Sequence, residues 1–286
     1  MDTYLIPGLD GVAYGLMLAI AAAGLTLAFG AGGVLNLAHG TLLAAGGYVA
    51  ATTSTGSWAS LAAAVTLATA VGAVGGGVLA AATAGLRGRG HLDQALLTFG
   101  VALIGADLLT TVFGADIRRP RVPAVLETTL TVAGHRYPAD RVAALAAAVL
   151  IATIGYGVLH RTRAGRLVRA TVDDRHMVAG IGVDPRVVDA VVLVASGALA
   201  GLAGALCTPI LGVGPGTAQT TLLLSLVIVV CGGLGSVPGA VIAAIGVGVV
   251  QTVGVVTMPA LAPYLLLGAM VLVLLTRRTP LPEVRG

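Results

Sequence analysis

Residues 11–40 read GVAYGLMLAIAAAGLTLAFGAGGVLNLAHG, and they open a block, residues 11–86, that contains no Asp, Glu, Lys or Arg. A second block without these residues covers positions 190–276. Each block is several times longer than the roughly 20 apolar residues that one membrane-spanning helix needs. In the whole chain of 286 residues only 10% are charged, whereas a water-soluble domain carries about 25%. The chain is therefore predicted to lie in a bilayer.

The apolar runs predict helices rather than membrane strands. Residues 143–151 and 222–230 are apolar on every face, whereas a strand of a membrane barrel alternates between apolar and polar side chains. The predicted fold is all-α and polytopic, with about eight or nine transmembrane or re-entrant helices in a single transmembrane domain, residues 1–286. The runs lie near residues 12–29, 34–51, 58–86, 94–113, 142–159, 190–207, 221–230, 241–256 and 261–275.

The arginines predict the orientation, because short cytoplasmic loops of membrane proteins carry the excess of basic residues. Residues 87–93, 160–189 and 277–286 hold eleven arginines together, and the segment 114–141 holds five. The first group is therefore predicted to be cytoplasmic, the C terminus included, and residues 114–140 to form an external loop. The N terminus is then expected outside, unless the run 34–51 is re-entrant.

The composition excludes several classes of chemistry. All sixteen basic residues are arginine, so the chain can form neither a lysine-containing phosphate loop nor a lysine Schiff base. Cys207 and Cys231 lack any metal-ligand spacing and are predicted to be structural. The arginines are not interleaved with aromatic residues, so no nucleic acid is expected as a partner. We predict no catalytic residue and no metal site.

Two glycine-rich interruptions stand inside the apolar blocks. The first, GAGGVLNLAHG at residues 30–40, includes Asn36, His39 and Gly40. On a helix, Asn36 and His39 would share one face, where they would line a pathway or join two helices by a polar contact. The second, CGGLGSVPG at residues 231–239, contains the candidate pathway residues Gly232, Gly233, Gly235 and Pro238.

Paired interruptions of this kind point to a central pathway in transporters. The alternative is close helix packing through small residues, the use we predict for the pairs Gly72/Gly76 and Gly197/Gly201. Asp107 is the only acidic residue within an apolar run. It is a further pathway candidate, or it reaches the interface and pairs with an external arginine.

The segment TRAGRLVRATVDDRHMVAGIGVDPRVVDA, residues 162–190, is the longest charged stretch. Thr171 and Asp174 form a capping pattern that predicts a short helix over 172–181, ended by Gly182. Asp184 and Pro185 predict the start of the next helix. The short helix would carry an apolar side with Met177, Val178 and Ile181, and it would lie on lipid or dock into a soluble partner.

Three of these segments resemble a known family, the inner-membrane permeases of bacterial ABC importers of the branched-chain amino acid type. The first segment, GVLNLAHG, is similar to the N-[FL]-A-H-G signature of that family. The stretch from residue 162 is similar to its cytoplasmic coupling segment, and CGGLGSVPGAVIAAIGVGVVQ to its G-G-[LIM]-G-[ST] segment. Leu37 stands where the commoner form has Phe, and the external loop is rich in arginine and proline. These departures leave urea and short amides open as substrates.

The resemblance implies a permease subunit in a bacterial inner, or plasma, membrane, surrounded by lipid. It implies a second permease subunit, identical or homologous, two cytoplasmic ATPase subunits and an external substrate-binding protein. ATP would bind to the ATPases, so this chain would bind no cofactor. The residues expected to contact the ATPases are Arg166, Arg169, Asp173, Asp174, Ala179, Gly180 and Ile181.

Two other classes of function stay open on the sequence. In a self-contained, ion-coupled secondary transporter, Asp107 and His39 would handle protons and no partner would be needed. A channel-like protein would instead conduct without gating.

Overall fold

The computed structural model describes residues 2–86, 90–132, 135–233 and 235–276, and helices dominate it. The sequence-based prediction of an all-α polytopic membrane fold is confirmed at this level. The helices are α1 (Asp2–Gly32), α2 (His39–Thr53), α3 (Trp58–Ala84), α4 (His91–Phe113), α5 (Ala139–Arg161), α6 (Arg163–Asp173), α7 (Arg175–Gly180), α8 (Pro185–Leu211), α9 (Thr217–Gly232), α10 (Val237–Thr257) and α11 (Ala262–Thr276). The tail 277–286, predicted to be cytoplasmic, lies outside the described residues.

Among the described residues, six helices are long and apolar enough to cross a membrane, namely α1, α3, α4, α5, α8 and α10. Three further apolar helices, α2, α9 and α11, have 15, 16 and 15 residues. A 15-residue helix is about 22 Å long, which is short of a hydrocarbon core of about 30 Å. Helix length therefore does not by itself make these three into complete spans.

The segment expected to be an irregular external loop contains a small antiparallel hairpin, β1 (Thr129–Val132) and β2 (His135–Pro138). Thr129 pairs with Pro138 and Val132 with His135. The strand TLTV contains three β-branched residues, which favour strand backbone. Pro138 then serves as the N-cap residue of α5.

Helices α3 and α8 approach each other through glycines. A Cβ atom on Gly197 would overlap the carbonyl oxygen of Gly72, and one on Gly76 would overlap that of Leu193. Gly201 likewise lies against the Ala68 carbonyl. The predicted packing role of these glycine pairs is confirmed, since small residues let helix backbones come together where the bilayer supplies no hydrophobic drive.

The contacts between loops define two ends of the helix bundle. At one end, here the arginine-loop end, the Ser54 hydroxyl donates to the Arg121 carbonyl at 2.6 Å and the Arg118 backbone pairs with Val213. The opposite end, here the α7 end, holds α6, α7 and the first turns of α4 and α8 around one cavity. Helix α5 runs between the two ends over 23 residues, about 35 Å.

The first interruption differs from the prediction in one respect. Helix α1 ends at Gly32, Gly33 adopts a positive φ of 61°, and α2 starts only at His39. Asn36 therefore precedes the helix, and the expectation that Asn36 and His39 share a helical face is wrong. The Asn36 side chain accepts a hydrogen bond from the Ala38 amide at 3.1 Å, a local turn that competes with helix.

The segment predicted to be cytoplasmic folds into two short helices where one was predicted. Thr171 does not cap a helix; it lies inside α6 and its hydroxyl donates to the Leu167 carbonyl. Asp174 is the N-cap residue of α7 and accepts from the amides of His176 and Met177. An Asp side chain is more favourable at an N-cap than within a helix. Helix α6 therefore ends at Asp173, and α7 begins after Asp174.

The predicted helix end at Gly182 and the predicted helix start at Asp184 and Pro185 are confirmed. Gly182 has a φ of +86° directly after α7, which is the left-handed conformation that ends helices. Asp184 caps α8 by accepting from the Arg186 amide at 2.8 Å, and Pro185 occupies the first turn.

Candidate functional site

The two interrupted segments meet at the α7 end of the bundle, where Gly30 is half-buried and Gly235 is exposed. Gly30, in the last turn of α1, lies against Gly235, so a Cβ atom on Gly30 would overlap the Gly235 Cα. Gly233 and Gly235 both have a positive φ, of 97° and 80°. Gly232 packs against the first turn of α10 at Gly239. Pro238 lies in that same turn and is exposed.

The non-helical backbone of residues 33–38 is supported by α4. The Thr98 hydroxyl accepts from the Leu37 amide at 3.2 Å and donates to the Leu35 carbonyl at 3.0 Å. Thr98 is completely buried. Irregular backbone at membrane depth is tolerated only where its polar groups find partners of this kind.

Asn36 and His39 are both completely buried. His39 Nε2 lies 2.7 Å from the Ala21 carbonyl oxygen of α1, a contact that joins α2 to α1. Within the described residues, His39 Nδ1 and Asn36 Nδ2 have no hydrogen-bond partner. Gly40 fits directly against the Ala218 carbonyl of α9. The contact of His39 with Ala21 is the polar contact between two helices that the sequence left open as an alternative. A pathway role for Asn36 and His39 stays a prediction.

Asp107 lies on α4 toward the arginine-loop end. It is exposed and lines a cavity of about 260 Å³ between α2, α4 and the start of α9. Among the described residues it forms no ion pair with an external arginine and no hydrogen bond with His39. The structure therefore does not bring together the two residues that a proton-coupled mechanism was expected to use.

A larger cavity of about 880 Å³ opens at the α7 end. It is bordered by the end of α1, the end of α3, and the starts of α4 and α8. The polar side chains among its lining residues are Thr83, Gln94, Thr171, Arg175, Asp184, Arg186 and Asp189. Neither Asn36 nor His39 borders it.

All seven residues predicted to contact a partner from this end are exposed. Met177 and Ile181 are exposed as well, at 63% and 67%, whereas Val178 between them is buried. The predicted apolar side of the short helix is thus divided: Val178 fixes α7 to the bundle, and Met177 and Ile181 form its exposed tip. Among the described residues, no atom lies within 4 Å of a Cβ atom placed on Gly180.

The sequence did not predict one ion pair at the α7 end. The Arg175 guanidinium donates to the carboxylate of Asp189, and this ion pair joins α7 to α8. Asp189 is buried, and Arg175 is half exposed. The two residues are fourteen positions apart across a turn, a spacing that no helical periodicity connects. The signal that was available is Asp189 itself, the last acidic residue before an uncharged block.

Residues 9–275 match the family described as "Branched-chain amino acid transport system / permease component". The chain belongs to this family. It is 25% identical over 303 aligned positions to the high-affinity branched-chain amino acid transport system permease protein BraD of Pseudomonas aeruginosa PAO1. That alignment covers 98% of this chain and 97% of BraD. No solved structure matches the chain.

The family resemblance seen in the sequence is thereby confirmed. This permease is a multi-pass membrane protein and a transport subunit, not a catalytic one. Permeases of ABC transport systems work in general with ATPases and substrate-binding proteins. The interrupted segments, Asp107 and the exposed tip of α7 are therefore candidates for the pathway and for partner contacts.

Proposed function

We propose that this chain is the permease subunit of an ATP-driven importer in a bacterial inner membrane. Its substrates are branched-chain or other hydrophobic amino acids, and urea and short amides are the alternative substrates. It pairs with a second permease chain, two cytoplasmic ATPases and an external binding protein. ATP binds to the ATPases, and this chain holds no cofactor. The observation that carries the proposal is the exposed α7 tip in a chain of this permease family.

The orientation places the α7 end in the cytoplasm and the arginine-loop end outside. The arginine count favours this direction. The ion pair between Asp10 of α1 and Arg141 of α5 supports an external N terminus, because it ties the first part of α1 to the end that carries the external loop. In this topology α2, α9 and α11 complete nine passes, with residues 33–38 forming the first part of the second pass. The C terminus is then cytoplasmic.

Coupling to the ATPases uses the exposed face of α6 and α7. Arg166, Arg169 and Asp173 supply its charged part, and Ala179, Gly180 and Ile181 its tip. Asp174 acts indirectly, since its carboxylate is already occupied in capping α7. ATP changes transport only if it favours one global state of the complex, so α7 must transmit a movement to the spans. The ion pair between Arg175 and Asp189, together with the buried Val178, connects α7 to the spans for that step.

The pathway runs past the two interruptions. Asn36, His39 and Gly40 stand on one side, and Gly232, Gly233, Gly235 and Pro238 on the other, with Asp107 nearer the outside. Because Gly30 touches Gly235, a shift of either segment displaces the other. Unpartnered nitrogens on Asn36 and His39 would then gain partners in a state that opens the bundle.

The test is retention of the ATPases on the immobilised permease. Gly180→Trp adds a bulky side chain where the structure has free space, so the membrane spans remain folded. It obstructs the partner surface, and a lost contact of about 2 kcal/mol means roughly 30-fold weaker association.

The matched control is Gly90→Trp, at the same end but outside α6 and α7, where a side chain also meets nothing. We expect Gly90→Trp to retain the ATPases like wild type. Equal retention of the ATPases by Gly180→Trp and wild type would contradict docking on α7. If the wild-type chain never co-purifies with its ATPases, the proposed importer function is wrong.

A further inference from the structure

The cavity of about 260 Å³ near the arginine-loop end lies between α2, α4 and residues 214–219. Drug-sized sites occupy roughly 300 to 1,000 Å³, so this cavity suits a smaller molecule. It is separate from the larger cavity at the α7 end, with which it shares no lining residue.

One wall carries a carboxylate without a counter-ion. Asp107 lies in an apolar helix, toward the arginine-loop end, where an acidic residue costs less than the roughly 2.5 to 3.5 kcal/mol that it costs at the membrane centre. In the part of the chain that the structure describes, no arginine pairs with it. An intramembrane acid in this position calls for a cationic partner.

A second, independent feature is Tyr48 of α2. Its side chain lines the same cavity and is 1% exposed, yet its buried hydroxyl has no hydrogen-bond partner among the described residues. Phe113 stacks on the Tyr48 ring at 4.6 Å, nearly parallel. The ring is thus held in place while its hydroxyl is unsatisfied, and a buried polar group without a partner is costly.

The remaining lining residues complete a mixed surface. Gln219 contributes a side-chain amide, and the other walls are mainly apolar. The apolar side chains are Ala44, Leu103, Ala106, Leu109, Pro215 and Ala218. In the described part of the chain no arginine lines the cavity, and the Arg118 guanidinium lies over the Phe113 ring, 5.8 Å from its centroid. The oxygens of Asp107, Tyr48 and Gln219 accept hydrogen bonds, and a primary ammonium group offers three donors.

We infer that this cavity binds the ammonium group of a small primary amine, with its aliphatic chain against the apolar wall. Asp107 supplies the charge, Tyr48 a hydrogen-bond acceptor, and Gln219 a second acceptor. The inference rests on the proposed function for its natural ligand, which is then an amino acid with an aliphatic side chain. The site stands at the outer entrance of the pathway and selects for the ammonium group.

Two probes separate the parts of such an amino acid. Isoamylamine keeps the ammonium group and the branched chain, whereas isocaproate keeps the branched chain and a carboxylate. Binding of each to the full-length permease in lipid nanodiscs is followed by ligand-observed saturation-transfer NMR, without ATPases or binding protein. We expect saturable binding of isoamylamine and none of isocaproate.

Variants locate the site. Asp107→Asn keeps the size of the side chain and should weaken isoamylamine binding at least tenfold, while Asp107→Glu should retain most of it. Tyr48→Phe should weaken it about threefold. The matched control is Asp116→Asn, an exposed acid of the external loop that does not line the cavity. It should bind isoamylamine like wild type.

Three results would overturn the inference: no saturable binding of isoamylamine, equal binding of isocaproate, or wild-type affinity in Asp107→Asn. None of them bears on ATPase retention, which tests the proposed function separately. If isoamylamine binds through Asp107 while the ATPases never associate, the ammonium site stands and the importer assignment fails.

Discussion

At the scale of single residues, the ion pair between Arg175 and Asp189 joins α7 to α8. Asp189 is buried, so losing Arg175 leaves a buried carboxylate without its partner. Because the Arg175 guanidinium is half exposed, water screens its interaction with Asp189. Losing Arg175 is therefore expected to cost about 1 to 2 kcal/mol of stability, rather than the roughly 3 to 5 kcal/mol of a fully buried pair.

We predict that Arg175→Ala lowers the midpoint of thermal unfolding of the solubilised permease. It should also speed amide hydrogen exchange in residues 175–183. Adding Asp189→Asn to Arg175→Ala should recover part of the lost stability, because the unpaired charge is gone. Identical unfolding and exchange in Arg175→Ala and wild type would show that the pair does not hold α7.

His39 joins α2 to α1 through the Ala21 carbonyl, and its second ring nitrogen is unpartnered. His39→Leu removes a hydrogen bond worth about 1 kcal/mol and puts an apolar side chain of similar bulk in its place. We predict that the variant inserts and retains the ATPases but takes up substrate several-fold more slowly in proteoliposomes. Unchanged uptake per folded molecule would assign His39 to helix packing alone.

At the scale of helices and loops, the glycine contacts of α3 and α8 determine how closely the bundle packs. A methyl group on Gly197 has no room beside the Gly72 backbone, whereas Gly100 in α4 has nothing within 4 Å. We predict that Gly197→Ala lowers the unfolding midpoint and that Gly100→Ala leaves it unchanged or raises it slightly, since Ala favours helix over Gly by about 1 kcal/mol. The reverse order would contradict the packing account.

Elements marked by strong local signals were predictable. The long apolar runs, the cap at Asp184 with Pro185, and the left-handed Gly182 all follow from local chemistry and agree with the structure. The break at Asp174 was not predicted, because Thr171 and Asp174 are both good N-cap residues and tertiary contacts decide between them. In the structure, Thr171 is buried and points back along α6.

The candidate site was predictable only in part. Glycine density located both interruptions, yet their contact at Gly30 and Gly235 and the support from Thr98 depend on how distant segments pack. Asp107 was visible as a lone acid in an apolar run. Its neighbours Tyr48 and Gln219 are far away in sequence, so the cavity that they share could not be predicted.

At the scale of the whole molecule, the central claim is that this chain transports only as part of an ATP-driven complex. In the proposed function the α7 end meets partners in the cytoplasm, and the arginine-loop end receives substrate. A secondary transporter would need no such partner surface, and its proposed proton carriers, His39 and Asp107, make no contact in the described structure.

The most direct test is uptake of radiolabelled leucine into proteoliposomes. Vesicles that contain this permease with its second permease chain, ATPases and external binding protein should accumulate leucine when ATP is supplied, and not when ATP is omitted. Vesicles with this chain alone should show no uptake under a pH gradient. Leucine accumulation by the single chain, driven by that gradient without ATP, would contradict the account.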